Sequence, residues 1–278
     1  MLKVPVKVNL SEEDFAWFRE LIANEAGIEI SEKKFSFVYN RVMRRMQFLG
    51  ITSFEDYRVY LEREDTRDNE IGKLLEEVVT HETSFFRYRP HLDFFREKII
   101  PELRRKRLLK GLRVNILSAG CSSGEELYTL AMIVNEEISP ELKLAVNMMG
   151  IDLSWPVIQR AENGVYIEQD LEGMPSDFIT KYFIREGNTY KIIPQIKESV
   201  RFERFNLLKG KWHHYKYMDV IFCRNTLIYF SKGAKRKVLF KLVDTLRDEG
   251  YLVLGHTEII DGEEYNLKRV TNTIYRKA

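Results

Sequence analysis

Between Leu112 and Glu126 the chain reads LRVNILSAGCSSGEE. An apolar run with Val114, Ile116 and Leu117 gives way to Ser118-Ala119-Gly120-Cys121-Ser122-Ser123-Gly124, followed by two adjacent carboxylates, Glu125 and Glu126. Small residues at the end of a strand let a ligand approach the backbone, and the helix that follows points its amino end at that ligand. The dinucleotide pattern GxGxxG is absent, and no lysine follows Gly124 as a GxxxxGK[ST] phosphate loop requires. Two carboxylates at a helix amino end also disfavour a phosphate. A ligand with hydroxyls and a positive charge suits the turn better, and S-adenosylmethionine has both. The same residues would also serve as a purely structural turn, with two glutamates well placed on a helix terminus.

Other polar residues fall at the ends of predicted strands. LKLAVNMMGID ends in Asp152, Val200–Phe205 in Asn206-Leu207, and Met218–Cys223 opens into Arg224-Asn225. In an open α/β sheet, ligands bind at the carboxyl edge of the strands, and an acidic residue at the tip of the second strand can hold a ribose diol. Asp152 could equally cap the next helix, a role for which Ser154 competes. No Ser-His-Asp or Cys-His set is evident. His213 and His214 lack Cys, Asp or Glu at ligand spacing, so no metal is expected. His256 could support a pocket floor or be an ordinary buried histidine. Cys121 and Cys223 are too isolated for a disulfide framework.

These residues need a doubly wound α/β sheet to position them. Its helices are predicted over Glu125–Glu137, Trp155–Glu162, Pro175–Tyr182 and Lys232–Asp248, with a further strand over Tyr251–Gly255 and a closing antiparallel pair in the tail. Two β-prone runs around Glu186-Gly187-Asn188 predict a hairpin, read as a small antiparallel insert on the main sheet at about 175–197. Ahead of the sheet, four helices are predicted: from Ser11 to Gly27, from Ser31 to Leu49, from a Thr52 or Ser53 cap to Leu61, and over Asn69–Val79. Residues 1–80 are thus an all-helical module, 81–110 a linker with a connecting helix starting at Pro90, and 111–278 the sheet domain.

Lys+Arg 44 against Asp+Glu 42 leaves a net charge of +2, which makes no global demand for nucleic acid. Basic residues gather on the second helix: Lys33, Lys34, Arg41, Arg44 and Arg45, with 34, 41 and 45 on one side and 44 flanking. That strip is either a solvated face or a docking surface for an acidic partner. No apolar run is long enough for a membrane span or a signal peptide, so a soluble intracellular protein is expected.

Taken together and in order, TSFFR at 83–87, SAGCSSGEELY at 118–128, GIDLS at 150–154, FNLL at 205–208, IFCRNTLIYF at 221–230 and GHTE at 255–258 resemble the chemotaxis receptor glutamate methyltransferases, the CheR family. The resemblance spans nearly the whole chain. It implies a Rossmann-like S-adenosylmethionine domain with a β insert and an all-helical N-terminal domain, and it implies methyl transfer to glutamate side chains of bacterial chemoreceptors. Carried over residue by residue, it assigns His81, Thr83, Arg87, Gly120, Glu125, Asp152, Asn206, Leu207, Arg224 and Asn225 to the cofactor, with Glu125 on its ammonium. Arg87 would also act near the reacting centre, and Tyr229 would lie beside the transferred methyl.

The expected partner is a methyl-accepting receptor with an acidic helical cytoplasmic domain, docked on Lys34, Arg41, Arg44 and Arg45 by a cytoplasmic, monomeric enzyme that inserts into no membrane. Two departures stand out. His81 occupies a position where the family usually has Asn, and the Glu186-Gly187-Asn188 turn is shorter than the Gly-rich loop with which some members grip a receptor's tethering peptide. Independence from such a tether is therefore expected. A methyltransferase on another acceptor, or a sensor or adaptor with the same fold, would share the cofactor residues.

Overall fold

The computed structural model describes residues 10–65, 67–79 and 81–278; most of the amino-terminal stretch weighed as a signal peptide lies outside them. Contacts divide the chain into a helical unit, Met1–Thr80 with Tyr229–Lys235, and a sheet unit, His81–Ile228 with Arg236–Ala278.

In the helical unit, α1 (Glu12–Ala26) starts where the Ser11 hydroxyl accepts the Asp14 N–H at 3.0 Å and ends at Gly27, whose φ of 75° suits glycine. Its Phe15, Phe18 and Ile22 are buried at helical spacing. α2 (Phe35–Leu49) follows a short 3₁₀ turn over Glu32–Lys34 and buries Val38, Val42 and Met46. Ser53, rather than Thr52, caps α3 (Phe54–Glu62), and α4 (Arg67–Val78) completes the set. Phe18 stacks on Tyr57 and packs edge-on against Phe54. Within this unit the Glu29 N–H donates to the Tyr229 carbonyl at 2.9 Å, and Ile28 bridges to Phe230.

The sheet unit begins with a helix in three pieces, α5 (Arg89–Phe94), a π-turn over Phe95–Ile99 and α6 (Ile100–Lys106), with Pro90 in its first turn. Then come β1 (Val114–Ala119), α7 (Glu125–Glu137), α8 (Pro140–Lys143), β2 (Val146–Asp152) and α9 (Trp155–Asn163). β3 (Val165–Ile167), α10 (Ser176–Tyr182), β4 (Phe183–Glu186), β5 (Thr189–Ile192), α11 (Pro194–Lys197) and β6 (Val200–Arg204) follow. The chain closes with β7 (Met218–Cys223), α12 (Lys232–Thr245), β8 (Leu246–Leu254), β9 (Leu267–Thr271) and β10 (Ile274–Lys277).

The main sheet has seven strands in the order β6-β2-β1-β7-β8-β10-β9, parallel from β6 through β8 and closed by the expected antiparallel tail. Its central strands are buried on both faces, which is why they read as nearly continuous apolar runs. Strand order reverses between β1 and β7, so their carboxyl ends border the crevice where such sheets bind ligands.

Three expectations need correction. The insert does not join the main sheet but forms its own, β3-β5-β4, because Val165–Ile167 supplies an unforeseen third strand. Tyr166 and Phe183 anchor it edge-on against Phe85. The last helix stops at Thr245, and β8 begins five residues earlier than Tyr251, at Leu246. The register shift against β7 and the left-handed Glu249 (φ 64°) explain why the polar stretch 247–249 hid this strand.

Arg45 does not belong to an exposed basic strip. Its Nε and Nη2 donate to the two oxygens of Glu70, each at 2.8 Å, and the Tyr57 hydroxyl donates to Glu70 Oε1 at 2.9 Å. The guanidinium is 11% exposed and the carboxylate 3%. Arg44 is 60% exposed and lies 3.4 Å from Glu77. Neighbouring positions on a helix lie about 100° apart, so Arg45 can face the core while Arg44 faces water. Breaking a buried pair from one side strands the other charge at a cost of roughly 3–5 kcal/mol. Arg45→Ala should therefore lower the urea-unfolding free energy by about that much, and Arg45→Met with Glu70→Leu should recover most of it. A loss below about 1 kcal/mol for the single variant would mean that the pair is solvated.

Candidate functional site

The switch-point crevice is built from backbone first. The Gly120 and Cys121 N–H groups donate to the Ile151 carbonyl at 2.8 and 3.0 Å, holding the turn after β1 against the end of β2. Gly120 has φ 82°, and a Cβ there would sit on the Thr226 side chain, so only glycine fits. Ser122 adopts φ 49°, which aims its N–H at Asp152 Oδ2, 2.9 Å away. The Ser154 N–H binds Oδ1 at 3.1 Å. Asp152 is thus pinned at the tip of β2 and 7% exposed. Burial raises its pKa, opposed by these N–H groups and by the charge of His81. The Phe205 N–H donates to the Asp152 carbonyl at 2.7 Å and brings the Asn206-Leu207 pair alongside. Asn206 Oδ1 accepts from Leu208 and Lys209 N–H at 2.9 and 3.0 Å, while Leu207 is buried.

On the β7 side, Arg224 is the central group. Its side chain is 4% exposed; Nη1 donates to Glu126 Oε2 at 3.1 Å and Nη2 to the Arg87 carbonyl. The Arg224 Nε–H is enclosed and has no hydrogen-bond partner among the described residues. Glu126 also accepts from the Ser118 hydroxyl at 2.8 Å. Arg87 itself donates through Nη1 to the Glu82 carbonyl at 2.7 Å and is half-buried, like Thr83. Its neighbours Phe86 (φ 53°) and Tyr88 (φ 58°) are both left-handed, a conformation that costs an ordinary residue about 1–3 kcal/mol. Packing sustains it: Phe86 is buried against Phe178 at 4.8 Å, and its N–H reaches Thr129 Oγ1 at 3.2 Å.

Glu125 lies apart from this group. It is 2% exposed, both its oxygens accept the Ser123 hydroxyl at 2.8 and 2.9 Å, and burial raises its pKa. The carboxylate that meets Arg224 is its neighbour Glu126. Helical geometry held the missed signal, because adjacent glutamates cannot face the same point. Cys121 is fully enclosed and its thiol is pushed well above the usual range by burial, so it is no nucleophile.

Asn225, with φ 55°, follows Arg224 at the tip of β7. Tyr229 belongs to the helical unit. His256, one candidate for a pocket floor, is exposed and stacks on Tyr88 with ring centroids 4.9 Å apart. No cluster of three or more His, Cys, Asp or Glu among the described residues could hold a metal ion.

A glycine turn, a pinned carboxylate one strand away and an enclosed arginine meet at this edge, and these residues could hold S-adenosylmethionine. Residues 13–79 match the family model described as CheR methyltransferase, all-alpha domain, and residues 81–276 that described as CheR methyltransferase, SAM binding domain. The chain belongs to the CheR methyltransferase family. A chemotaxis protein methyltransferase of Borreliella burgdorferi is 31% identical over 99% of this chain and 98% of its own length. Chemotaxis protein methyltransferase 2 of Pseudomonas aeruginosa is 31% identical over 96% of this chain and 94% of its own. Among solved structures, a TehB-like SAM-dependent methyltransferase from Corynebacterium glutamicum covers 67% of this chain and 96% of its own at 12% identity and a TM-score of 0.36. The CheR domain makes the chain an S-adenosylmethionine-dependent methyltransferase, which is the cofactor the residues around Gly120 suggest.

Behind Arg224 in this CheR domain, His91 is 2% exposed and its Nε2 lies 3.0 Å from Thr273 Oγ1. The Thr273 hydroxyl also lies 2.9 Å from the Asn272 carbonyl. Burial, with Arg224 adding, lowers the His91 pKa from 6.5 to about 4. Between those values the unfolded chain binds a proton that the native state refuses, so stability falls as pH drops through the window. The loss approaches roughly 3 kcal/mol once the pH is below both. Thermal midpoints at pH 7 and pH 4.5 should differ less in His91→Gln than in the parent; an equal difference would assign the acid sensitivity to other groups.

Proposed function

We propose that this methyltransferase esterifies glutamate side chains of bacterial chemoreceptors, independently of a receptor tether. The observation that carries this reading is the loop at 83–88, whose strained backbone holds Arg87 beside the enclosed Arg224–Glu126 pair. When bound, S-adenosylmethionine supplies a methyl made electrophilic by its sulfonium. A glutamate carboxylate, with an ordinary pKa of about 4.3, is already ionised at neutral pH, so no general base is needed. The chain's part would be to hold that carboxylate in line with the methyl, so that its oxygen can accept the group directly. No proton moves.

What remains for the chain is placement, worth up to roughly 7–11 kcal/mol when reacting groups are held in line. Arg87 orients the acceptor carboxylate or the cofactor's own, for which a planar guanidinium is suited. Tyr229 is the second residue that the family resemblance assigns to the reacting centre. Thr83, Asn206, Leu207 and Asn225 shape the cofactor pocket beside Gly120 and Asp152, with His81 a neighbour of Asp152. Of the two glutamates after Gly124, Glu125 takes the ammonium, while Glu126 holds Arg224.

The receptor partner is an acidic helical segment, and the docking face is formed by Lys34, in the turn before α2, and by Arg41 and Arg44 on α2, with Lys34 and Arg41 over the Phe37 ring. Arg45 is excluded by its burial. A two-residue turn, Gly187-Asn188, joins β4 to β5 and leaves little loop to grip a tether.

Incubating chemoreceptor-containing membranes with tritiated S-adenosylmethionine should put label on the receptor band that alkali releases as methanol. Arg87→Ala and Tyr229→Phe should each lose at least about tenfold in rate, equivalent to one interaction made near the transition state. Label that resists alkali, or appears on another acceptor, would replace glutamate as the substrate; cofactor binding without any transfer would favour a sensor.

Reversing Lys34 and Arg44 to Glu should raise the receptor KM several-fold with cofactor affinity unchanged, whereas unaltered kinetics would reduce the strip to a solvated face. A peptide copying a receptor tether should not bind; micromolar affinity would overturn tether independence.

A further inference from the structure

Strand β8 ends in Gly255-His256-Thr257-Glu258. Glu258 is 1% exposed, yet no cationic side chain among the described residues pairs with it. Its carboxylate is held by backbone alone. Oε2 accepts the N–H groups of Asn225 and Gly255 at 2.8 and 2.6 Å, Oε1 accepts that of Ile228 at 3.0 Å, and the Glu258 N–H closes the turn onto the Gly255 carbonyl at 2.8 Å. A buried carboxylate without partners would be expensive, and three N–H groups stand in for its lost water. Gly255 is required for this arrangement, since a Cβ would lie 2.5 Å from Glu258 Oε2 and 2.7 Å from the Asn225 nitrogen.

The clamp is not needed to pair the strands, because β7 and β8 already run in register to Cys223 and Leu254. It acts on what lies beyond: the loop carrying Arg224, the left-handed Asn225, and Thr226, which packs against Gly120. We propose that Glu258 is a positioning residue for methyl transfer, its carboxylate holding the 224–228 loop in the shape that presents Arg224 and Asn225 to the cofactor. The proposal rests on the reading of this strand tip as part of the S-adenosylmethionine site.

Glu258→Gln removes the charge and sets an NH₂ group against at least one of the three N–H donors, while Glu258→Asp keeps both oxygens but withdraws them. In the full chain, calorimetry with S-adenosylhomocysteine should give a Kd roughly 10- to 100-fold weaker for Glu258→Gln, in line with lost buried hydrogen bonds, and intermediate for Glu258→Asp. Amide exchange should quicken in peptides covering 224–228 and 255–258 and remain as in the parent over β1 and β2. Thr257→Ala, at an exposed neighbour, should change neither. A Kd within twofold of the parent despite a loosened loop would overturn the proposal. So would weakened binding accompanied by faster exchange throughout β1 and β2, which would make Glu258 a residue of general stability. A parent chain that does not bind S-adenosylhomocysteine would instead remove the cofactor reading itself, and the proposal with it.

Discussion

Arg224 cannot be solvated by water where it sits, and much of the site follows from that constraint. A guanidinium removed from solvent needs acceptors close at hand, since an unpaired buried charge costs several kcal/mol. Glu126 provides one from the first turn of α7, and the Arg87 carbonyl provides another from the 83–88 loop. Three segments distant in sequence are thereby drawn to one point at the end of β7. Strand, small-residue turn and helix form one side of the crevice, and the buried arginine stands at the end of β7.

The carboxylates around this point are held differently. Asp152 rests on the N–H groups of Ser122 and Ser154, Glu125 on the Ser123 hydroxyl, and Glu258 on three backbone N–H groups. Dipoles fixed by main-chain geometry neutralise less charge than a lysine would, but they keep their positions because the backbone keeps its own. The left-handed Ser122 and Asn225 show where that geometry is strained. Strain of about 1–3 kcal/mol per residue persists only where packing over-determines the chain, and here it coincides with the turns that border the crevice.

In the helical unit the same electrostatic reasoning separates neighbours. Arg45 and Arg44 are adjacent on α2, yet one is locked to Glu70 and Tyr57 while the other meets solvent. Lys34 and Arg41 lie over the Phe37 ring, and Arg41 also approaches Glu77 at 3.9 Å. Which carboxylate the fold brings to each member of a basic run thus decides whether it is buried or solvated.

Much was determined by sequence alone. Apolar periods, caps at Ser11 and Gly27, and small residues at 118–124 specify helices, parallel strands and a tight turn through local sterics, so the α/β sheet, the helical module and the crevice edge were legible. The polar tips Asp152, Asn206 and Asn225 were legible too, because alternation along a strand and its termination are local properties. Tertiary structure decided the rest. Which of Glu125 and Glu126 meets Arg224, whether Arg45 faces water, and what Glu258 holds all depend on groups tens of residues away. So does the third strand of the insert, since Val165–Ile167 is too short to announce itself without β5 beside it. Burial and long-range pairing set the charge environment of a side chain, and neither is written in its neighbours along the chain.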